Sequence, residues 1–427
     1  MDAGAGDVFK RFLERDILFY LTLAVVCAAI ILRSIIFNDW GDIDTCYWER
    51  TGHVMAGEVP YRDFVFEYPP LSLLFMMIPR LLSWDQESFR IVYMIFTSVF
   101  YILSAMILDR VSERYIGNRW EARLVMLLLL LALSIFILQR NDIFPVALVL
   151  ASLWLYLSGR YEIAFAVMAV AGMTKLYPML FLVPMMLPFL MRLDWRMMVK
   201  GVVIVGAVAL LSELPFLIAD PSTALDYLLY HSDRGLQVES IASSIIMMMS
   251  LFTDMGISVV FNYGSDNLTG ALPDSIAPYM NLVMMAVLVL FMLAVLFVYR
   301  KADLKGREGS VLAVLCLVLI MIFVTFSKVY STQYIVWVVT LIPFAFMSCL
   351  SRIHRKEIWI LTLVYILFSM FSLLGYMDLI KLEPYAIVLS FLKNVSFVVL
   401  MAEVAHLFWF ELMRKDGEPD RGLFIRG

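Results

Sequence analysis

The chain has 427 residues, 62% of them hydrophobic and 16% charged, with a mean hydropathy of +0.86. That much apolar surface excludes a soluble globular domain, and long apolar runs recurring from residue 17 to residue 411 define an all-α polytopic membrane protein. The net charge of −4 decides little by itself; where the charges fall decides more.

In lipid each backbone polar group must be satisfied within its own segment, so the spans are helices, and no series of short alternating strands suggests a barrel. In chain order the apolar runs predict spans at 17–37, 89–108, 124–138, 143–157, 161–173, 176–191, 200–218, 279–299, 310–326, 333–350, 358–376 and 394–411. Some are shorter than the roughly 20 residues that a bilayer requires. The pieces 69–84 and 240–254 read as half-spans or interfacial helices. The first run lacks a small-residue cleavage site and reads as a signal anchor. Most of the 33 Lys and Arg residues fall on the same side as the N-terminus, which predicts about 12 spans with both termini inside. The chain, 1–427, then forms a single integral domain with two external regions, 38–88 and 219–278, the first bearing short helices.

Four cysteines are present; Cys27, Cys316 and Cys349 lie in apolar runs, and Cys46 has no evident disulfide partner. No C-x-x-C or H-E-x-x-H spacing suggests a metal, and no cofactor is implied. Two sequons, Asn267-Leu-Thr269 and Asn394-Val-Ser396, are weak signals; the second begins a span.

Ionisable residues at membrane depth are costly and usually functional. Here they gather at the external ends: Asp42, Asp44, Arg62, Asp63 and Glu67 in the first loop, then Arg140 and Asp142 in "LQRNDIFP". Lys175 in "GMTKLYPM", His231, Asp233, Arg234 and Glu239 in "YHSDRGLQVES", and Lys328 in "FSKVYSTQY" complete the set. Carboxylates supply a general base, and cations hold an anionic group such as a phosphate. Aromatics interleave with them, among them Tyr47, Tyr61, Tyr68 and Tyr177, and offer faces for sugar rings. Pro145 and Pro178 sit just inside helix starts, whose free N–H groups favour an anion. This mixture suits transfer of a sugar from a lipid phosphate.

The runs "AGEVPYRDFVFEYPPLS", "QRNDIFPVALVLASLWLYLSGRYEIAFAVMAVAGMTKLYPMLFLVP", "HSDRGLQVES" and "KVYSTQYIVWVV" resemble family-87 glycosyltransferases of GT-C type, the polyprenol-phosphate-mannose-dependent mannosyltransferases and their prokaryotic relatives. The resemblance extends over about 17–350 in the same order, and G-x-x-P-Y-R-D-F-x-x-E-Y-P-P is its specific part. It implies a GT-C-type fold, a multi-pass location in the cell membrane with an external active site, a polyprenyl- or dolichyl-phosphate sugar donor, an external lipid, glycan or protein acceptor, and inversion at the anomeric carbon. The catalytic aspartate of such enzymes lies in the first external loop, hence Asp42 or Asp44, with Asp42 favoured as nearer the span end. Arg140, Lys175, Arg234 and Lys328 are then the donor-phosphate ligands, and His231 assists proton transfer or binds phosphate. Tyr61, Arg62, Asp63, Glu67, Tyr68, Asp142 and Tyr177 are the sugar- and acceptor-binding set.

Plainer roles compete with each assignment. Asp42 and Asp44 could cap a helix around residues 45–55, Arg62 and Asp63 could form a loop ion pair, and Lys175 could snorkel to the interface. Glu403 and His406, one helical turn apart, read as a pair on one helix face and are assigned no chemistry. A transporter or lipid-linked-sugar flippase would also place charge in the membrane. It would favour internal repeats and broken helices near the midplane, whereas these charges lie at one edge and no repeat is evident.

Overall fold

A computed structural model describes residues 15–230, 234–302, 304, 306–348 and 352–413. The chain divides into two compact units, Met1–Tyr227 and Leu228–Gly427.

The first unit begins with α1, Asp16–Phe37, closed by Asn38 in the left-handed region at φ 49°. A π-helical turn, Ile43–Trp48, runs directly into α2, Glu49–Met55. Extended Pro69 turns the chain into α3, Pro70–Leu81, with Pro70 at the position where a missing N–H costs nothing. α4, Gln86–Tyr115, starts at a capping box: Asp85 Oδ1 accepts from the Ser88 N–H at 2.8 Å, and Ser88 Oγ accepts from the Asp85 N–H at 3.1 Å. α5, Trp120–Leu133, breaks from α6, Ile135–Gln139, at Ser134, whose φ is 44°. Then come α7, Ile143–Leu157, α8, Tyr161–Thr174, a 3₁₀ turn, Tyr177–Phe181, and α9, Leu182–Met191. α10, Trp195–Ala219, buries only Gly201 and Glu213, as a helix does when lipid covers it.

The second unit carries β1, Leu236–Gln237, then α11, Ile241–Ser250, capped by Ser240 Oγ on the Ser243 N–H at 3.1 Å. β2, Ser258–Asn262, and β3, Ser265–Thr269, form a hairpin, and β1 pairs antiparallel with the other side of β3. α12, Ala271–Tyr299, is mostly exposed, whereas α13, Glu308–Phe326, is the most enclosed span of its unit. Short helical pieces, Thr332–Tyr334, Ile335–Val339 and Ile342–Ala345, follow. α14, Arg352–Leu374, and α15, Pro384–Met413, complete the unit.

Among the described residues seven helices are long and apolar enough to cross a bilayer: α1, α4, α10, α12, α13, α14 from His354, and α15. Other predicted spans are helical but shorter: α7 and α8 are 15 and 14 residues, and the run 333–350 is broken into pieces. The half-spans expected at 69–84 and 240–254 are α3 and α11. The three-stranded sheet was not expected from the sequence. It closes over a small core of Leu236, Val238, Met247 and Leu268.

Burial decides the sequons. Asn267 lies on β3 with no exposed surface, and its Nδ2 donates to Asn262 Oδ1 at 2.5 Å and to the Asn262 carbonyl at 3.1 Å. Asn394 is 2% exposed, and its Nδ2 donates to the Glu239 carbonyl at 3.1 Å. Neither side chain is open to modification in the folded protein.

Gly41 fixes how the first loop leaves α1. Its φ is +50°, and a Cβ there would lie 2.8 Å from Gln139 Oε1. Gln139 has little room to yield: it is 5% exposed, and its Nε2 donates to the Asp39 carbonyl at 2.6 Å. Gly41→Ala is therefore expected to cost about 1–3 kcal/mol, read as a lower unfolding midpoint in detergent. An unchanged midpoint would show that the loop entry is not held this way.

Candidate active site

The first loop brings its carboxylates against helix ends of the same unit. Asp42 opens the π-helical turn without capping it; its Oδ2 accepts instead from Nη1 of Arg140, in the short segment between α6 and α7. Asp44, two residues further on, is gripped at both oxygens by Arg90 of α4: Nε to Oδ1 at 2.7 Å and Nη2 to Oδ2 at 2.5 Å. Asp142, at the start of α7, accepts from Lys175 Nζ at 2.6 Å, just past the end of α8. Neither loop aspartate is the helix cap that its position offered.

Tyr47 ties the loop to the Arg140 segment. Its hydroxyl accepts from the Asn141 N–H at 3.1 Å, and its ring stacks on Tyr93 at 5.0 Å. Tyr47 is fully buried, and Tyr68 packs against it at 6.5 Å. Burial is the largest effect holding both phenols above their usual range, and the nearby Asp142 carboxylate adds to it. Both stay neutral donors at any physiological pH. The two pairs at this corner differ in access: the Asp42 and Arg140 side chains are 24% and 28% exposed, those of Asp142 and Lys175 3% and 15%.

Glu67 sits beside this corner. It accepts from Cys46 Sγ at 3.2 Å and pairs with Arg50 at 3.4 Å. Burial, then the Glu67 charge, pushes the Cys46 thiol well above its ordinary pKa. Maleimide labelling of Cys46, in a Cys349→Ser background, is expected to stay slow from pH 7 to 9, and Glu67→Gln to speed it. Rapid wild-type labelling at pH 8 would contradict this environment. The stability effect has a definite sign: above the ordinary thiol pKa the unfolded state releases a proton that the folded state keeps, so stability falls as pH rises.

Other expected site residues serve the loop itself. Arg62 and Asp63 pair side by side at 2.9 and 2.8 Å, and Asp63 Oδ2 also accepts from the Val59 N–H at 2.8 Å. The Arg62 partner, then that backbone bond, lower Asp63 to a pKa of about 2. Tyr61, at φ 70°, donates its hydroxyl to the Tyr68 carbonyl at 2.7 Å and packs among Phe66, Phe216 and Tyr227. Tyr177 is buried in the 3₁₀ turn after Lys175, edge-on to Phe181.

Two expected phosphate ligands belong to the second unit. Arg234 donates to the Tyr263 carbonyl at 2.9 and 2.6 Å and so clasps the hairpin turn. Lys328 is 2% exposed, and its carbonyl accepts from the Gln237 N–H at 3.0 Å. His231 and Asp233 lie outside the described residues.

Sequence reasoning missed Arg90, Arg50 and Gln139 as partners of the loop. Arg90 carried the clearest signal: a lone arginine in the first turns of an otherwise apolar span wants a carboxylate nearby.

The helices of spanning length define a multi-pass membrane protein. The chain belongs to glycosyltransferase family 87, whose family model matches residues 66–326. The matched stretch includes Glu67, Tyr68, Arg140, Asp142, Lys175, Tyr177 and Arg234, whereas Asp42, Asp44, Tyr61, Arg62, Asp63 and Lys328 lie outside it. Among solved structures the chain is similar to ArnT from Cupriavidus metallidurans, crystallised with undecaprenyl phosphate, at 15% identity and a TM-score of 0.49; 96% of this chain and 78% of that one are covered. No curated protein matches.

Proposed function

We propose that the protein is an inverting glycosyltransferase that moves a sugar, mannose in the first instance, from a polyprenyl- or dolichyl-phosphate donor to an acceptor hydroxyl at the outer face of the membrane. The observation that carries this reading is the Asp42–Arg140 pair, the more accessible of two acid–cation pairs that meet beside Tyr47.

Asp42 is the general base. It takes the acceptor proton as the hydroxyl oxygen attacks the anomeric carbon, opposite the lipid phosphate. The phosphate departs ionised and needs no acid. Arg140 and Lys175 stabilise its charge, exchanging part of their pairing with Asp42 and Asp142 for the phosphate oxygens as the donor enters. Asp44 is the lesser candidate because both of its oxygens are already engaged by one guanidinium. Asp142, Tyr68 and Tyr177 line the sugar side, and Glu67 positions the loop through Cys46 and Arg50. The outward orientation rests on the excess of Lys and Arg toward the opposite face.

The test uses purified protein in lipid with radiolabelled polyprenyl-phosphate mannose and a membrane glycolipid extract. Transfer of label to an acceptor supports the reading. Failure with mannose but transfer from a glucosyl or arabinosyl donor corrects the sugar. Failure with every lipid-phosphate sugar, together with substrate flux across the vesicle, replaces the reading with transport.

A further inference from the structure

The second unit contains a polar cluster that glycosyl transfer does not use. α14 carries His354-Arg-Lys-Glu357, and α15 carries Glu403-Val-Ala-His406. Each motif places its imidazole and carboxylate three residues apart, on one helix face. The two faces meet. His354 Nδ1 lies 2.6 Å from Glu403 Oε1 and 3.9 Å from Glu357 Oε2, and the His354 and His406 rings are 5.4 Å apart. His354 and Glu403 have no exposed surface, and Glu357 has 3%.

A simple helix-to-helix ion pair needs only His354 and Glu403. Glu357 brings a second buried carboxylate to the same imidazole. Glu403 Oε2 is buried with no hydrogen-bond partner. One ligand atom from each of His354, Glu357 and Glu403 lies within 4.8 Å of the other two, a spread that side-chain rotation can close onto one ion. A Glu-x-x-His motif, as on α15, together with carboxylates from packed helices is a known way to supply nitrogen and oxygen ligands to a metal.

We infer that His354, Glu357 and Glu403, with His406 as a fourth ligand, bind a divalent transition metal that ties α14 to α15. Two carboxylates balance the charge of the ion, and both imidazoles bind neutral. The donor set of two nitrogens and two oxygens suits Zn²⁺, with Co²⁺ as its spectroscopic substitute. The inference is independent of the sugar donor and of the role of Asp42.

The experiment uses the full chain in lipid nanodiscs, purified without a histidine tag, stripped by chelator and reloaded with Zn²⁺ or Co²⁺. The expected result is stoichiometric zinc by elemental analysis, a raised unfolding midpoint, and intense visible Co²⁺ bands of a four-coordinate site. Glu403→Gln and His354→Gln are expected to weaken binding by more than the roughly 10- to 100-fold that loss of an outer-shell partner costs. Glu162→Gln, whose carboxylate pairs with Lys200 on the surface, is expected to bind as wild type. Zinc retained equally by Glu403→Gln and His354→Gln overturns the site and marks the binding as adventitious. Should those variants fail to fold, wild type alone decides: no zinc after reloading, or Co²⁺ bands without the four-coordinate intensity, leaves a shared proton between Glu357 and Glu403 as the account of the cluster.

Discussion

Asp42→Asn is expected to lower sugar transfer by about 10²–10⁴-fold, the usual contribution of a positioned general base. The amide keeps the shape and an acceptor oxygen for Arg140 Nη1, so the loop should stay folded and the unfolding midpoint should move little. Donor affinity should hold or rise, because Arg140 is freed from a carboxylate and left to the phosphate. Asp44→Asn is expected to behave in the opposite way. It breaks a two-point grip by Arg90, across 46 residues of chain, that holds the loop against α4. Its first effect should be a lower midpoint, with a smaller loss of rate. Comparing the initial rates and the unfolding midpoints of the two variants separates the roles. Full activity in Asp42→Asn, with the large loss in Asp44→Asn, would transfer the base to Asp44.

Lys175→Met should be the most destabilising single change at the corner. The Asp142 side chain is 3% exposed and lies 2.6 Å from Lys175 Nζ. Removing the cation takes a counter-charge from a carboxylate in a buried setting, for which about 3–5 kcal/mol is the usual cost. Asp142→Asn added to Lys175→Met removes that charge too and should recover a large part of the loss. A double-mutant cycle on unfolding midpoints gives the coupling; additive effects would mean that the pair contributes nothing to folding. Activity should not return in the double variant, because the phosphate cation stays absent. That divergence between stability and rate distinguishes a ligand of the donor from a purely structural lysine.

The helices were legible because their signal is local. Apolar runs, and Pro69-Pro70 ahead of α3, each fix an element from a few neighbouring residues. The candidate acids and Arg140 and Lys175 were legible for a related reason: charge near an apolar run is conspicuous. Their partners were not. Asp42 meets Arg140 across 98 residues and Asp44 meets Arg90 across 46, distances at which sequence spacing carries no geometry. The same holds for the facing motifs of α14 and α15: Glu403 and His406 were read as a local pair, whereas Glu403 turns to His354, 49 residues away. The β2–β3 hairpin was legible and overlooked. "SVVFNYGSDNLT" has a two-residue Tyr263-Gly264 turn, with φ 47° and 67°, between extended runs. Its polarity made it resemble a plain loop.

The anomeric configuration of the product tests the account most directly. Sugar transferred from a lipid-phosphate donor of known anomer by the purified protein would be followed by NMR at early times. Direct displacement assisted by Asp42 predicts the opposite configuration in the product. Retained configuration would require a covalent sugar intermediate or a second displacement, and would contradict the single-base mechanism proposed for this corner of the first loop.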